Sequence, residues 1–242
     1  MKLFSLATRN LKEVYRDPAS IILGLALPVT LLILFSSIYK RVQLPMFSPQ
    51  WMTPGVIIFS YAFLIMFSSV LLTRDRESSF LTRLFTTPLS PSDFIIAYLI
   101  PFIPLALVQT VICLIAGAIM GASFVNIFLS LVIFFLVFMI CACTGMIMGA
   151  LLSITQVTAF GSVLVTAIGL FCGAWTPLKE MGGIFETVGY SLPFAHAVDA
   201  LKYLLSGASF SEVLSNFYWV LVYSIILVLS AILSFRWRMK QR

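Results

Sequence analysis

Between Phe94 and Leu178 the chain carries no Asp, Glu, Lys or Arg, an uninterrupted run of 85 residues. As one helix this run would be ~128 Å long, about four times the ~30 Å hydrocarbon core of a bilayer. It must therefore fold back on itself within an apolar medium. Two clusters of turn-tolerant residues divide it: Gly121-Ala122-Ser123 with Asn126, and Ser153-Ile154-Thr155-Gln156. Three spans are predicted, at 94–119, 125–152 and 157–176.

The flanks follow the same logic. Residues 19–39 are uncharged and form the first predicted span. The next uncharged stretch begins at Val42, but its opening, LPMFSPQWMTPG, is too rich in Pro and polar residues to face lipid. The second span is therefore placed at 53–73. The last, 216–235, is followed by the basic tail RWRMKQR. Charged residues make up only 10% of the 242, and mean hydropathy is +1.08. An ordinary soluble domain is roughly a quarter charged. A soluble globular domain, a disordered chain and a fibrous repeat are thereby excluded, and a polytopic membrane protein of six spans is expected, with no room for a second, soluble catalytic domain. The first apolar run is too long for a signal-peptide core and lacks a small-x-small cleavage site, so it reads as a span.

Net charge is +6. In this setting the cations report topology rather than nucleic-acid binding. Lys2, Arg9, Lys12, Arg16, Arg74, Arg76, Arg83, Arg236, Arg238, Lys240 and Arg242 fall on one face of a six-span arrangement. Only Lys40, Arg41, Lys179 and Lys202 fall on the other. This imbalance predicts that both termini are cytoplasmic. Trp51, Trp175, Trp219 and Trp237 lie near span ends, as an interfacial belt requires.

Three segments are not spans. Residues 2–16 place Leu3, Phe4, Ala7, Leu11, Val14 and Tyr15 in one helical arc, and Lys2, Arg9, Lys12, Glu13 and Arg16 in the opposite one. Such a helix is expected to lie in the membrane interface, with Arg9, Lys12 and Arg16 toward water, and to end at Asp17-Pro18. In 74–92, Phe80, Leu81, Leu84 and Phe85 form a short apolar stripe surrounded by Arg74, Asp75, Arg76, Glu77 and Arg83. The stripe needs cover, from lipid headgroups or from a groove on a cytoplasmic partner. Segment 177–212 holds two short helix-like runs, expected to dip into the outer leaflet as re-entrant helices packed on protein.

No G-x-x-x-x-G-K-[ST], H-E-x-x-H or G-x-S-x-G occurs, so the chain is expected to hold no nucleotide, metal or catalytic site of its own. His196 reads as a polar residue at the outer interface, and Cys113, Cys141, Cys143 and Cys172 as small packing residues without a disulfide. The spans lack the internal ionisable residues that ion-driven pumps use. Any energy for transport must then come from a partner. Small residues recur at helical spacing: Cys141, Gly145, Gly149 and Ser153 on one face, Gly161, Gly169 and Gly173 on another. They suit close packing within the subunit or at a subunit interface. Pro28, Pro101 and Pro104 are expected to kink their spans.

The order of these features resembles the ABC type-2 permeases, in particular their drug and natural-product exporter branch. The helix ending RNLKEVYRDP precedes a proline-containing span, RDRESSFLTRLFTTPLSPSDF follows span two, and SLPFAHAVDALKYLLSG precedes the last span. The likeness covers essentially the whole chain. It departs at Tyr98, where such proteins often have Lys, and at Met181-Gly182, where they often have Met-Pro. The resemblance implies an all-α fold and a transporter of two six-span permeases, identical or homologous, with two separate ATPase subunits that bind ATP and Mg. It implies that 75–86 is a coupling helix seated in the ATPase, with Arg74 to Glu77, Phe80, Leu81, Arg83, Leu84 and Phe85 at that contact. It implies that the N-terminal helix also touches the ATPase, and that the outer short helices gate release. Spans one, two and five would line the pathway for a hydrophobic or amphipathic substrate such as a drug, antibiotic, peptide or lipid-like molecule. Phe59, Phe63, Phe67 and Phe160 are candidates for its wall. Two rival readings are a membrane immunity or scaffold protein that sequesters a toxic peptide without turnover, and a lipid or polysaccharide exporter permease.

Overall fold

The computed structural model describes residues 2–78, 80 and 90–240. Among them the regular structure is entirely helical: α1 (Lys2–Tyr15), α2 (Pro18–Val42), α3 (Pro49–Glu77), α4 (Pro91–Leu99), α5 (Phe102–Ile119), α6 (Ile127–Leu151), α7 (Ile154–Phe171), α8 (Leu178–Met181), α9 (Gly183–Ser191), α10 (Pro193–Leu205) and α11 (Phe210–Lys240), with a 3-10 turn at Pro45–Phe47. Among the described residues six stretches are long and apolar enough to cross a membrane: Gly24–Val42, Pro49–Glu77, Pro91–Ile119, Ile127–Leu151, Ile154–Phe171 and Phe210–Trp237. The chain is an all-α polytopic membrane protein.

The helix ends follow local chemistry. Segment LPMFSPQWMTPG does not stay outside the second span: from Pro49 onward it joins α3. Ser48 caps the helix by accepting from Trp51 N at 3.3 Å, and Pro49 takes the first helical position, where its missing N–H costs nothing. Pro101 divides the third span into α4 and α5. Ser153 opens α7 with a reciprocal cap to Gln156, three residues earlier than the hydropathy suggests. Helix α7 stops at Phe171 rather than 176, because Gly173 turns the chain at φ 70°. The last helix runs from Phe210 to Lys240, well beyond 216–235.

Helix α3 occupies the centre. It packs against α2, α5, α6 and α7, and α10 also reaches it. Small residues make this possible. A Cβ at Gly145 would collide with Ser68 Oγ and the Ile65 carbonyl, and one at Gly149 would lie 2.8 Å from Ser69 O. Gly161 and Gly169 of α7 sit over Met66 and Phe59 of α3. These stripes therefore serve packing within the chain. The four cysteines are buried with free thiols, as packing residues.

Phe94 of α4 stacks on Phe235 of α11, and α1 packs on α4, so the first and last helices reach the same end of the bundle. We call this the basal end. Helix α1 does not rest on its apolar arc alone. Leu6, Ala7 and Asn10 are buried toward the bundle, whereas Phe4, 71% exposed, and Tyr15 point away. At the distal end Gln50 joins α3 to both neighbouring connections, donating to Leu205 O at 3.1 Å and accepting from Ser123 N at 2.8 Å. The segment 177–212 forms three short helices rather than two. Of these, α10 is nearly enclosed by α11, α6 and α3.

Candidate functional site

The apolar run of α3 ends in Thr73-Arg74-Asp75-Arg76-Glu77, at the basal end. Successive helical residues point about 100° apart, so these charges address different neighbours. Asp75, 3% exposed, turns inward, forms an ion pair with Arg9 of α1 and accepts from Tyr98 OH of α4 at 2.6 Å. Arg76 donates to the last carbonyls of α6, reaching Ala150 O at 2.8 Å and also Leu152 O. A cation at a helix C-terminus is favourable because those carbonyls have no partners of their own. Glu77 does the converse for α7, accepting from Ile154 N at 3.0 Å in its first turn. Three consecutive side chains thus tie α3 to α1, α4, α6 and α7.

Arg9 is the hub on the other side. Its guanidinium reaches Asn10 Oδ1 at 3.0 Å and lies 4.4 Å from the centre of the Phe80 ring. Burial opposes the charge of Arg9, but the hydrogen bond and charge of Asp75 prevail and hold its pKa above the ordinary value. Lys12 and Arg16 remain exposed, Arg16 beside Glu13 at 3.5 Å. Arg74 is exposed. Among the predicted coupling residues, Leu81, Arg83, Leu84 and Phe85 lie outside the described residues.

Asn10 and Tyr98 are members of this junction that hydropathy alone passes over. Asn10 is fully buried and donates from Nδ2 to Ala97 O at 3.2 Å. Ala97 is four residues before Pro101, whose ring nitrogen cannot donate to it. Span one has the same solution: Gln109 Nε2 donates at 3.1 Å to Gly24 O, four residues before Pro28. A proline inside a span is the sequence signal that such a donor is needed nearby.

Three of the four candidate pathway residues share a stripe of α3. Phe59 and Phe63 meet edge to face at 5.7 Å, and Phe59 also meets Trp175 at 5.3 Å. Trp175 stacks on Phe35 of α2. Phe67 lies further toward the basal end and touches Gly24. The half-buried stripe therefore runs between α2 and α7. Phe160 is not brought to it and is 55% exposed on α7.

In the distal segment His196 has a structural setting. Its Nε2 donates to Tyr190 O at 3.0 Å, its Nδ1 lies 2.8 Å from Asn216 Oδ1, and its ring stacks on Trp219. Lys202, 2% exposed, donates to Gly173 O at 2.9 Å and lies 4.6 Å from the Trp51 ring. Burial pushes its ammonium down to about 8.

A bundle of apolar crossings, with its ionisable groups gathered at the two ends and knitted across helices at one of them, defines the class: a polytopic membrane protein. A model of the ABC-2 type transporter family matches residues 1–206, and the chain belongs to that family. Similar proteins include "Putative transport permease ycf38" of Pyropia yezoensis, 28% identical over 228 residues that cover 89% of this chain and 78% of the relative. The proteins of the same name in Porphyra purpurea and Cyanophora paradoxa are 26% identical over 228 residues and 27% over 220, covering 89% and 86% of this chain and 78% and 75% of theirs. Family and relatives support a transport permease, and the family in general works with an ABC ATPase.

Proposed function

We propose that this chain is the transmembrane subunit of an ATP-driven exporter for a hydrophobic or amphipathic substrate. Two such permeases, identical or homologous, pair in the cell membrane, with the basal end and both termini in the cytoplasm. Each engages one of two separate ATPase subunits, which carry ATP and Mg. Segment 74–92 and α1 form the contact. The half-buried aromatic stripe of α3, between α2 and α7, contributes to the pathway.

The observation that carries this reading is the junction at Asp75, Arg76 and Glu77. It lies at the point where α3 gives way to the segment assigned to the ATPase. A push on that segment is delivered at once to α1, α4, α6 and α7, because each is bonded to the last turns of α3. A helix held only by apolar contacts could slide past its neighbours instead.

The test uses inside-out vesicles containing the chain and its ATPase. ATP-dependent uptake of a hydrophobic fluorescent dye is expected, and a proton or sodium gradient alone should drive none. Arg83→Ala, alone and with Glu77→Ala, should reduce uptake by roughly tenfold or more, equivalent to about 1.4 kcal/mol of lost coupling. Undiminished substrate-stimulated ATP hydrolysis and uptake in the double variant would overturn the coupling assignment.

A further inference from the structure

The aromatic stripe of α3 has unlike ends. Toward the basal end, Met66, Phe67 and Val70 continue it at helical spacing and border a cavity of about 250 Å³ beneath the junction of α1 and α2. Toward the distal end it runs into a closed stack. Phe63 meets Phe59, and Phe59 meets Trp175. Trp175 stacks on Phe35 of α2 at 5.2 Å, and Phe35 stacks in turn on Phe47 of the 3-10 turn at 5.8 Å. The Trp175 ring therefore bridges α2 and α3 across the distal end of the groove.

The backbone that carries Trp175 is fastened. Cys172 and Ala174 are fully buried, and a Cβ at Gly55 of α3 would lie 2.7 Å from Ala174 Cα. Gly173 turns the chain at φ 70°, a conformation that favours glycine. Its carbonyl, just past the C-terminus of α7, accepts from the buried Lys202 of α10 at 2.9 Å, a favourable place for a cation. The ring is held differently. Trp175 is only half-buried, and its contacts with Phe35 and Phe59 are what keep it across the groove. Two aromatic pairs bias a side chain toward its stacked position by about tenfold. A ring so held can swing to another rotamer while the turn beneath it stays in place.

We infer that Trp175 is the distal gate of the pathway. Stacked on Phe35 and Phe59, it closes the groove between α2 and α7; rotated away, it connects the stripe to the distal side. Lys202 is a positioning residue, acting through the carbonyl of Gly173. The assignment rests on the reading of the α3 stripe as pathway wall. It puts the gate in the turn after α7 rather than in α8, α9 or α10.

The test reads access from each side. Phe63→Cys introduces a thiol into the stripe, basal to Trp175, while the native cysteines are buried. The variant, assembled with its ATPase and without ATP, is treated with a membrane-impermeant maleimide. One set of sealed vesicles has the distal face outside, the other the basal face. Reaction is expected from the basal face, and little from the distal face. Trp175→Ala in this background should raise the distal rate about tenfold and leave the basal rate unchanged. Trp175→Phe should keep the distal rate within about twofold of its starting value. Lys202→Met should raise it about threefold. Trp219→Ala, which removes an equally large ring elsewhere at the distal end, should leave it unchanged, and so separates opening of the groove from a general loosening of the fold. A distal rate indifferent to Trp175, or raised as much by Trp219→Ala, would overturn the gate and leave the pathway reading standing. No reaction from either face in any variant would overturn the pathway reading, and the gate with it.

Discussion

Gln109 and Asn10 perform the same task in two places. Each supplies an N–H to a carbonyl that a proline has left without one, Gly24 O in the first case and Ala97 O in the second. In hydrocarbon no water can substitute, so each donor removes a penalty and also fixes which neighbour lies beside the kink. The kinks are legible in the sequence, because Pro28 and Pro101 stand inside uncharged runs. The donors are not, since neither Gln109 in its uncharged run nor Asn10 in the charged amphipathic α1 names a partner until the helices are assembled. Gln109→Leu should lower stability by about 0.6–2 kcal/mol in thermal unfolding of the purified protein. In a Pro28→Ala background the new backbone N–H can donate to Gly24 O itself, and the loss of Gln109 should then cost under about 0.5 kcal/mol. Lys202 gives a second test at this scale. Its ammonium is pushed down to about 8 by burial, against an ordinary value near 10.5. Between these values the unfolded chain holds a proton that the folded chain has released, so stability rises with pH across the window. Relative to Lys202→Met, the wild type should gain about 2–3 kcal/mol between pH 7.5 and pH 10.5, read as the difference in unfolding temperature. A difference independent of pH would show that Lys202 keeps its proton in the fold.

At the scale of the helix, α3 decides the packing. It is the most enclosed of the spans, and its faces are shared among α2, α5, α6 and α7. The periodicity of Gly145 and Gly149 is plain in the sequence, but whether such a stripe faces its own chain or a second copy depends on what stands opposite. The structure places Ile65, Ser68, Ser69 and Leu72 of α3 there. Gly145→Ala puts a methyl into the space of Ser68 and the Ile65 carbonyl, which is backbone and cannot rotate away. It should cost about 1–3 kcal/mol and broaden the size-exclusion profile in detergent. Gly121→Ala is a useful contrast: it meets no atom within 4 Å and is strained only by its φ of 99°. Boundaries set by charge, such as the end of α3 at Glu77, are readable from the sequence to within a few residues. Helix α10 is harder to place, because a short semi-apolar run reads as an outer-leaflet segment. Its burial depends on Phe194, Val198, Leu201 and Leu205 finding α6 and α11, which lie at other positions in the chain.

For the whole molecule, the two ends differ in what holds them. The distal end is joined by neutral groups, Gln50 with Leu205 and Asn126 with Ala208, together with the buried Lys202. The basal end is joined by charged side chains, the Arg9–Asp75 ion pair and Arg76 and Glu77 bonded to the ends of α6 and α7, and α1 uses the ion pair. Leu6 and Ala7, with the partly buried Leu3 and Val14, give α1 its apolar footing, and Arg9–Asp75 and Asn10–Ala97 add polar attachments to α3 and α4. Removing one partner of a fully buried pair costs about 3–5 kcal/mol, but Arg9 is about one-third exposed and water screens part of the interaction. Asp75→Asn should therefore weaken the docking of α1 by about 1–2 kcal/mol while leaving the six crossings folded. The expected signature is roughly tenfold faster tryptic cleavage after Arg9, Lys12 or Arg16 in nanodiscs, with little change in the unfolding temperature of the bundle. Tyr98→Phe, which removes one hydrogen bond to the same carboxylate, should give a smaller effect in the same direction. Tyr98→Lys, which introduces the residue often found there in similar permeases, should preserve docking, since an ammonium serves Asp75 as well as a hydroxyl does. If Asp75→Asn and Tyr98→Phe both resist trypsin like the wild type, α1 is held by its apolar footing alone, and the charged junction cannot be what carries motion from α1 into α3.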